Sequence, residues 1–434
     1  MRPRIPRALA LLAFLALPLF AGGGARTARA IATITDSELR AHVEFLASDE
    51  LEGRGTGSPG FDAAARYVAT RIESWGLKPM GDAGSWYQEF KAGRGKNQKA
   101  TQNVCGLVEG TDPALKGEFV IVGAHLDHVG TGQIMGAMGP KGEIHNGADD
   151  NASGSAAILE LAEAFARFPP RRSILFLWFA GEEMGLLGSQ HYVKNPTIAL
   201  EKAVAMINLD MVGRSKDGYL FVGGVGTSPD LRKMVESSNT DGFQIEWGEG
   251  GNAPSDNSSF YRKAMPVLFF FTNVHEDYHK PGDDADKVNY EGATRIGRMV
   301  FQVAEEIADR DERLVFTKND GFALPASMRR NLFGGDEPPR PPRNRAFLGV
   351  TPAEEPAVAG FHVGEVIPDS AAQAAGLKTG DVIVRFNDRV IEKPEDLYAA
   401  LDAAKPGDEV TLRLLRDNAE VTVQATLKRA PRSE

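Results

Sequence analysis

Four short stretches of this 434-residue chain are apolar at nearly every position: Phe119–Gly123, Ile174–Phe179, Ala203–Leu209 and Val267–Phe271. A strand with one face in water alternates apolar and polar residues, whereas an unbroken apolar run must be covered on both faces. Between the runs the spacing turns helical, over Ala156–Phe168, which Pro169-Pro170 stops, and over Val288–Ala308. Residues 36–80 also read as helical, interrupted by the polar, glycine-rich loop Glu52–Gly60. Buried strands alternating with helices predict an α/β fold in which a mostly parallel, mixed sheet is sandwiched by helices. In such sheets ligands sit beyond the carboxyl ends of the strands.

The reactive side chains collect at those ends. His125 and Asp127 follow the first run, and Glu182 and Glu183 follow the second. Asp210 ends the third, His279 follows the fourth, and Asp149-Asp150 directly precedes a helix. Carboxylates gathered on one buried rim repel one another unless a cation neutralises them. Imidazole with carboxylate is a zinc-type ligand set, and one carboxylate can bridge two ions.

Gly123-Ala-His-Leu-Asp-His128, Gly147-Ala-Asp-Asp-Asn-Ala-Ser-Gly154, Ala180-Gly-Glu-Glu-Met-Gly-Leu-Leu-Gly-Ser189, Asn208-Leu-Asp-Met211 and Asp277-Tyr-His-Lys-Pro281 together resemble the co-catalytic zinc aminopeptidases, metallopeptidase family twenty-eight. Leu51–Gly60 and Ser255-Asp-Asn-Ser-Ser-Phe260 add to the likeness, which covers residues 36–310. The resemblance implies a zinc-exopeptidase fold with two zinc ions per chain. His125 and Asp210 would hold one ion and Glu183 and His279 the other, with Asp150 bridging. Asp127 would support His125, and Glu182 would be the general base for a metal-bridging hydroxide. His275 is the alternative to His279. The resemblance places His128 in a supporting or loop role and makes Asp149 structural. Asp256 either lines the pocket or caps a helix. His42, His145, His191 and His362 are expected to have no part in the site. The loop Val129–Ile144 is expected to border the cleft.

Pro- and Gly-rich residues 311–345 read as a linker. Residues 346–434 resemble a β-rich PDZ domain of the periplasmic-protease type. The likeness rests on Phe347-Leu-Gly-Val350, Val363–Ala372, Ala375–Ile383 and the helix around Leu397–Leu401. Such domains take up peptide C-termini by strand addition.

At the other end, Arg2, Arg4 and Arg7 precede the apolar run Ala8–Ala21, and Ala28-Arg29-Ala30 follows. This predicts a signal peptide over 1–30, export to the periplasm or medium, and no membrane association after cleavage. With 49 basic against 59 acidic residues, the chain has no general attraction for nucleic acid. The lone Cys105 forms no internal disulfide. The leading expectation is an aminopeptidase acting on peptides with a free N-terminus. A carboxypeptidase or dipeptidase of the same fold stays open, as does a metal-stabilised peptide-binding protein working through its PDZ domain. A complete five-ligand set argues against a single-zinc glutaminyl cyclase.

Overall fold

A computed structural model describes residues 23–328 and 346–429, except 94, 96, 97, 135, 353–359, 392, 393, 417 and 418. The chain divides into two compact units, one ending at Met328 and the other starting at Arg329.

In the first unit, strands β1 (Lys78–Pro79), β2 (Tyr87–Ala92), β3 (Lys99–Val108), β4 (Phe119–His125), β5 (Ser173–Phe179), β6 (Ala203–Leu209), β7 (Tyr219–Gly223), β8 (Gln244–Gly248) and β9 (Val267–Phe271) form one sheet. Their order is β1-β3-β5-β4-β6-β9-β7-β8, with β2 also on β3. The four strands expected from the sequence, β5-β4-β6-β9, are its parallel centre. β3 and β7 flank that centre antiparallel, so the sheet is mixed.

Both faces are covered, which is why the central runs do not alternate. Val120, Val122 and Ala124 of β4 enter one apolar cluster, shared with helices α1 (Gly23–Ile31), α2 (Asp36–Leu46), α3 (Pro59–Ser74), α4 (Gly154–Arg167), α6 (Leu231–Ser238) and α8 (Tyr290–Asp309). Phe119 and Ile121 point the other way, towards Tyr192 of α5 (Leu187–Lys194) and Phe260 of α7 (Asn257–Tyr261). The helices start on local signals. Ser58 accepts the Phe61 amide at 3.2 Å with Pro59 in the first turn, and Thr35 Oγ1 accepts the Glu38 amide at 3.3 Å.

Of the stretch expected to be a signal peptide, residues 1–22 lie outside the described residues, and 23–31 form α1. Ala30 is buried there, and Arg26 bonds Glu305 of α8 at 2.7 Å. Of the stretch expected to be a linker, residues 329–345 lie outside the described residues. Residues 311–328 pack on the first unit, burying Leu314, Ala323 and Leu324. Among the described residues no helix is long and apolar enough to cross a membrane.

The second unit is the β-rich domain expected from the sequence. Strands Val350–Pro352, Phe361–Val366, Val382–Phe386, Glu409–Arg416 and Ala419–Thr426 form an antiparallel sheet, with the helix Pro394–Ala403 beside it. Leu348, Phe361, Ile383, Leu397, Leu412 and Leu414 make its core. A paired Asp381–Arg416 bridge, 2.7 Å at both contacts, ties Val382–Phe386 to Glu409–Arg416.

Phe301 of α8 stacks on Phe165 of α4 at 4.1 Å, fully buried. Phe301→Ala is expected to cost about 3–5 kcal/mol of stability, measured by urea unfolding of the full chain. A cost below about 1 kcal/mol would contradict this packing.

Candidate metal centre

The parallel register brings the strand ends level. His125 of β4 lies opposite Phe179 of β5, and Leu209 of β6 lies opposite Phe270 of β9. The residues just past these positions therefore meet on one rim. His125 Nε2 lies 3.2 Å from Asp210 Oδ1 and 3.3 Å from Asp150 Oδ1. On the far side of Asp150, His279 Nε2 lies 3.1 Å from Asp150 Oδ2 and 3.1 Å from Glu183 Oε2. The two oxygens of Asp150 thus face two different ligand groups. Ligand atoms about 2.0–2.1 Å from a tetrahedral zinc sit about 3.3 Å from each other. The observed spacings fit that donor set, and the ligand atoms also have the right chemistry.

His128 comes closer than expected. Its Nδ1 lies 2.8 Å from Glu183 Oε1, and a second ligand triad can be drawn with it in place of His279. The shorter contact is a hydrogen bond, made to the Glu183 oxygen that does not face His279. His279 is the better-placed ligand, because its Nδ1 donates to the Gly136 carbonyl at 2.9 Å and so aims Nε2 inward. Met138 N donates to the His279 carbonyl at 2.8 Å. The Val129–Ile144 loop therefore holds a ligand. His275, the alternative to His279, sits instead on Asp149 Oδ2 at 3.2 Å. Asp149 Oδ1 accepts the Gly213 amide at 2.6 Å.

Asp127 meets His125 differently from the simplest expectation. Its backbone carbonyl, not its carboxylate, takes the near contact with His125 Nδ1, at 3.1 Å against 4.0 Å. The carboxylate accepts Thr56 Oγ1 at 2.7 Å and the Glu182 amide at 3.2 Å, and so fixes the turn that carries Glu182. Asp256 neither lines the pocket nor makes a side-chain cap bond. Burial pushes it up to about 7. His42 binds the Tyr67 hydroxyl, His191 stacks on Phe90, His145 faces the Met138 carbonyl and His362 lies in the second unit.

Several supporting groups were not singled out from the sequence. Ser255 donates to Asp210 Oδ2 at 2.7 Å. Asp283 Oδ2 accepts the amides of Asp149 and Asp150, each at 3.0 Å. Arg54, wholly buried, donates to the carbonyls of Leu126, Asn146 and Gly147 at 2.7–2.9 Å and to that of Leu46. Burial lowers Arg54 to about 10, so it stays a cation at neutral pH beside Asp150, Asp127 and Glu183. Gly147 has φ +56°, and a Cβ there would lie 2.2 Å from the Asp150 carbonyl oxygen.

The charges are strongly perturbed. Burial, reinforced by Glu183 and Asp210, holds the Glu182 carboxyl well above its usual range. Burial alone would lower His279, but hydrogen bonds to Asp150 and Glu183 outweigh it and lift the imidazole to about 11. Burial likewise opposes the charged form of Asp150, but bonds from His125 and His279 take its carboxyl well below the usual range. Beside these groups a cavity of about 50 Å³ opens, lined by His125, Asp150, Glu182, Asp210 and His279 together with Met211, Phe269, Phe271 and Tyr278.

Residues 103–304 match the model of peptidase family M28, and residues 346–427 match that of the PDZ domain. A probable leucine aminopeptidase of Arthroderma otae is 33% identical over 45% of this chain, which spans 56% of that relative's length. A solved zinc aminopeptidase from Bacillus subtilis shares the fold at 18% identity and a TM-score of 0.52, over 64% of this chain and 96% of its own. So does a glutaminyl cyclase from Bacteroides thetaiotaomicron, at 20% identity and 0.52, over 63% of this chain and 98% of its own. The chain is thus similar to the peptidases of family M28 over residues 103–304 and to the PDZ domain over residues 346–427.

Proposed function

We propose that the chain is an exported aminopeptidase that binds two zinc ions and removes apolar residues from the free N-termini of peptides. The observation that carries this reading is the lining of the cavity. Acidic Glu182, Asp150 and Asp210 line it together with apolar side chains, and among the described residues no Lys or Arg lines it. A carboxypeptidase needs a cation for the substrate's terminal carboxylate, whereas a free ammonium suits this acidic wall. The acids would hold the amino end, and the apolar part of the lining would take the first side chain.

His125, Asp210 and Asp150 would hold one zinc, and Asp150, Glu183 and His279 the other. Zinc bound there supplies Lewis acidity, which polarises a carbonyl and makes water a usable nucleophile near neutral pH. Glu182 accepts the proton from the attacking water and returns it to the leaving amine. Its raised affinity for protons, set by burial, suits a group that must both take and give one near neutral pH. Asp127 keeps Glu182 in place through the Glu182 amide, and Ser255 keeps Asp210 in place through its outer oxygen. The PDZ domain would take up peptide C-termini. Leu348 is buried and Gly349 has φ +87° in the segment where such domains bind a carboxylate.

The direct test is hydrolysis of leucine p-nitroanilide beside its N-acetylated form, with zinc and with chelator. Cleavage of the free amine alone, abolished by chelator, is expected; equal cleavage of both would sink the aminopeptidase reading. Glu182→Gln should keep its zinc and lose about 100-fold or more in kcat, read by elemental analysis and steady-state rates. Zinc must also displace the protons held by His279 and His125. Its apparent affinity should therefore rise steadily from about pH 6 to pH 8 with proton release. Calorimetry in buffers of different ionisation enthalpy reads this, and an affinity flat with pH would contradict it.

A further inference from the structure

Beyond α8 the chain does not leave the peptidase unit. Residues 310–328, past the end of the family match at residue 304, run back across it as a strap. Arg310 bonds Asp230 at 2.7 Å, and the Thr317 amide reaches the Thr227 carbonyl at 2.8 Å. The Tyr261 hydroxyl accepts the Asn319 amide at 2.9 Å. At Gly250 the strap passes so close that a Cβ would lie 1.6 Å from the Gly321 carbonyl oxygen, so only glycine fits. Ala323 N then donates to the Asn252 carbonyl at 2.6 Å, and Ala323 is buried in one cluster with Met211, Phe269 and Phe271. Glu246 fixes the end of the strap. One of its oxygens accepts the Ala326 amide at 2.6 Å and the other the Tyr219 hydroxyl at 2.8 Å. Asn273 adds a bond to Ser327 at 2.9 Å.

So anchored, the strap delivers Leu324 and Met328 into the lining of the cavity beside the metal centre. Leu324 is 2% exposed. Met211 and Tyr278, in the same lining, are chained directly to the ligands, because Met211 follows Asp210 and Tyr278 precedes His279. Leu324 and Met328, by contrast, reach the cavity from a segment that carries no ligand. We propose that Leu324 and Met328 are specificity-determining residues: the strap forms the adjustable wall of the pocket for the substrate's first side chain and sets the size it accepts. This rests on the peptidase reading above.

The test uses the full chain with zinc and compares kcat/KM for alanine, leucine and phenylalanine p-nitroanilides. A group the size of one or two methylenes in an apolar pocket is worth about 10-fold or more in discrimination. Leu324→Ala should raise the phenylalanine-to-leucine ratio by about that factor, and Leu324→Phe should lower the leucine-to-alanine ratio similarly. General destabilisation would not give shifts of opposite sense at unchanged zinc content. Met328→Ala, at a partly exposed position, gives the same readout if a Leu324 variant does not fold. An unaltered protein that cleaves these substrates, with variants that keep its ratios, overturns the role of the strap alone. An unaltered protein that cleaves none of them overturns the peptidase reading and the strap proposal together.

Discussion

Asp150 shares its two oxygens between two imidazole–carboxylate groups, and nearly everything around it serves to keep it there. A buried carboxylate facing other carboxylates is unstable unless positive charge surrounds it. Two imidazoles supply part of that charge from the front, and the buried Arg54 guanidinium supplies part from behind. Arg54 also grips the carbonyls of Asn146 and Gly147, just ahead of Asp150, while Asp283 grips the amides of Asp149 and Asp150. The turn is thus held by its carbonyls from one side and its amides from the other. A divalent cation completes the same balance, which makes metal binding and the order of this rim one problem in electrostatics.

The sheet was legible in the sequence where burial is complete. β4, β5, β6 and β9 are covered on both faces, and that leaves unbroken apolar runs that can be read without any partner. Outside that centre, β1, β2, β3 and β8 carry exposed positions that mix polar residues into the strands, and β7 is only five residues long. The pattern of β3, for instance, begins exposed and only later becomes buried. Their pairing, antiparallel except for β7 with β8, rests largely on contacts distant in sequence, and no local period reports it.

The site divides along the same line. Residues that act through their own side chains at strand ends, such as His125, Glu182, Asp210 and His279, stood out because their chemistry is unusual in an apolar neighbourhood. Groups that act by holding backbone did not. Arg54 lies in a loop where an arginine is ordinarily solvated, and nothing local says that it bonds four carbonyls. Asp127 was legible as a partner of His125, but the swap of roles between its carbonyl and its carboxylate is a matter of ångströms. In the Ser255–Phe260 segment, charge drew the eye to Asp256, while the neutral Ser255 touches the ligand.

The strap over residues 310–328 was hidden by composition, since glycine and proline nearby suggested a free connector. Its placement separates two kinds of inheritance within one protein. The ligands and the base are embedded in strand ends and turns, where a substitution disturbs charge balance and packing at once. Leu324 and Met328 lie on a stretch that carries no ligand, so their side chains bear on the cavity without belonging to the reactive centre. A lineage carrying this arrangement could diversify its diet of peptides without reinventing its chemistry.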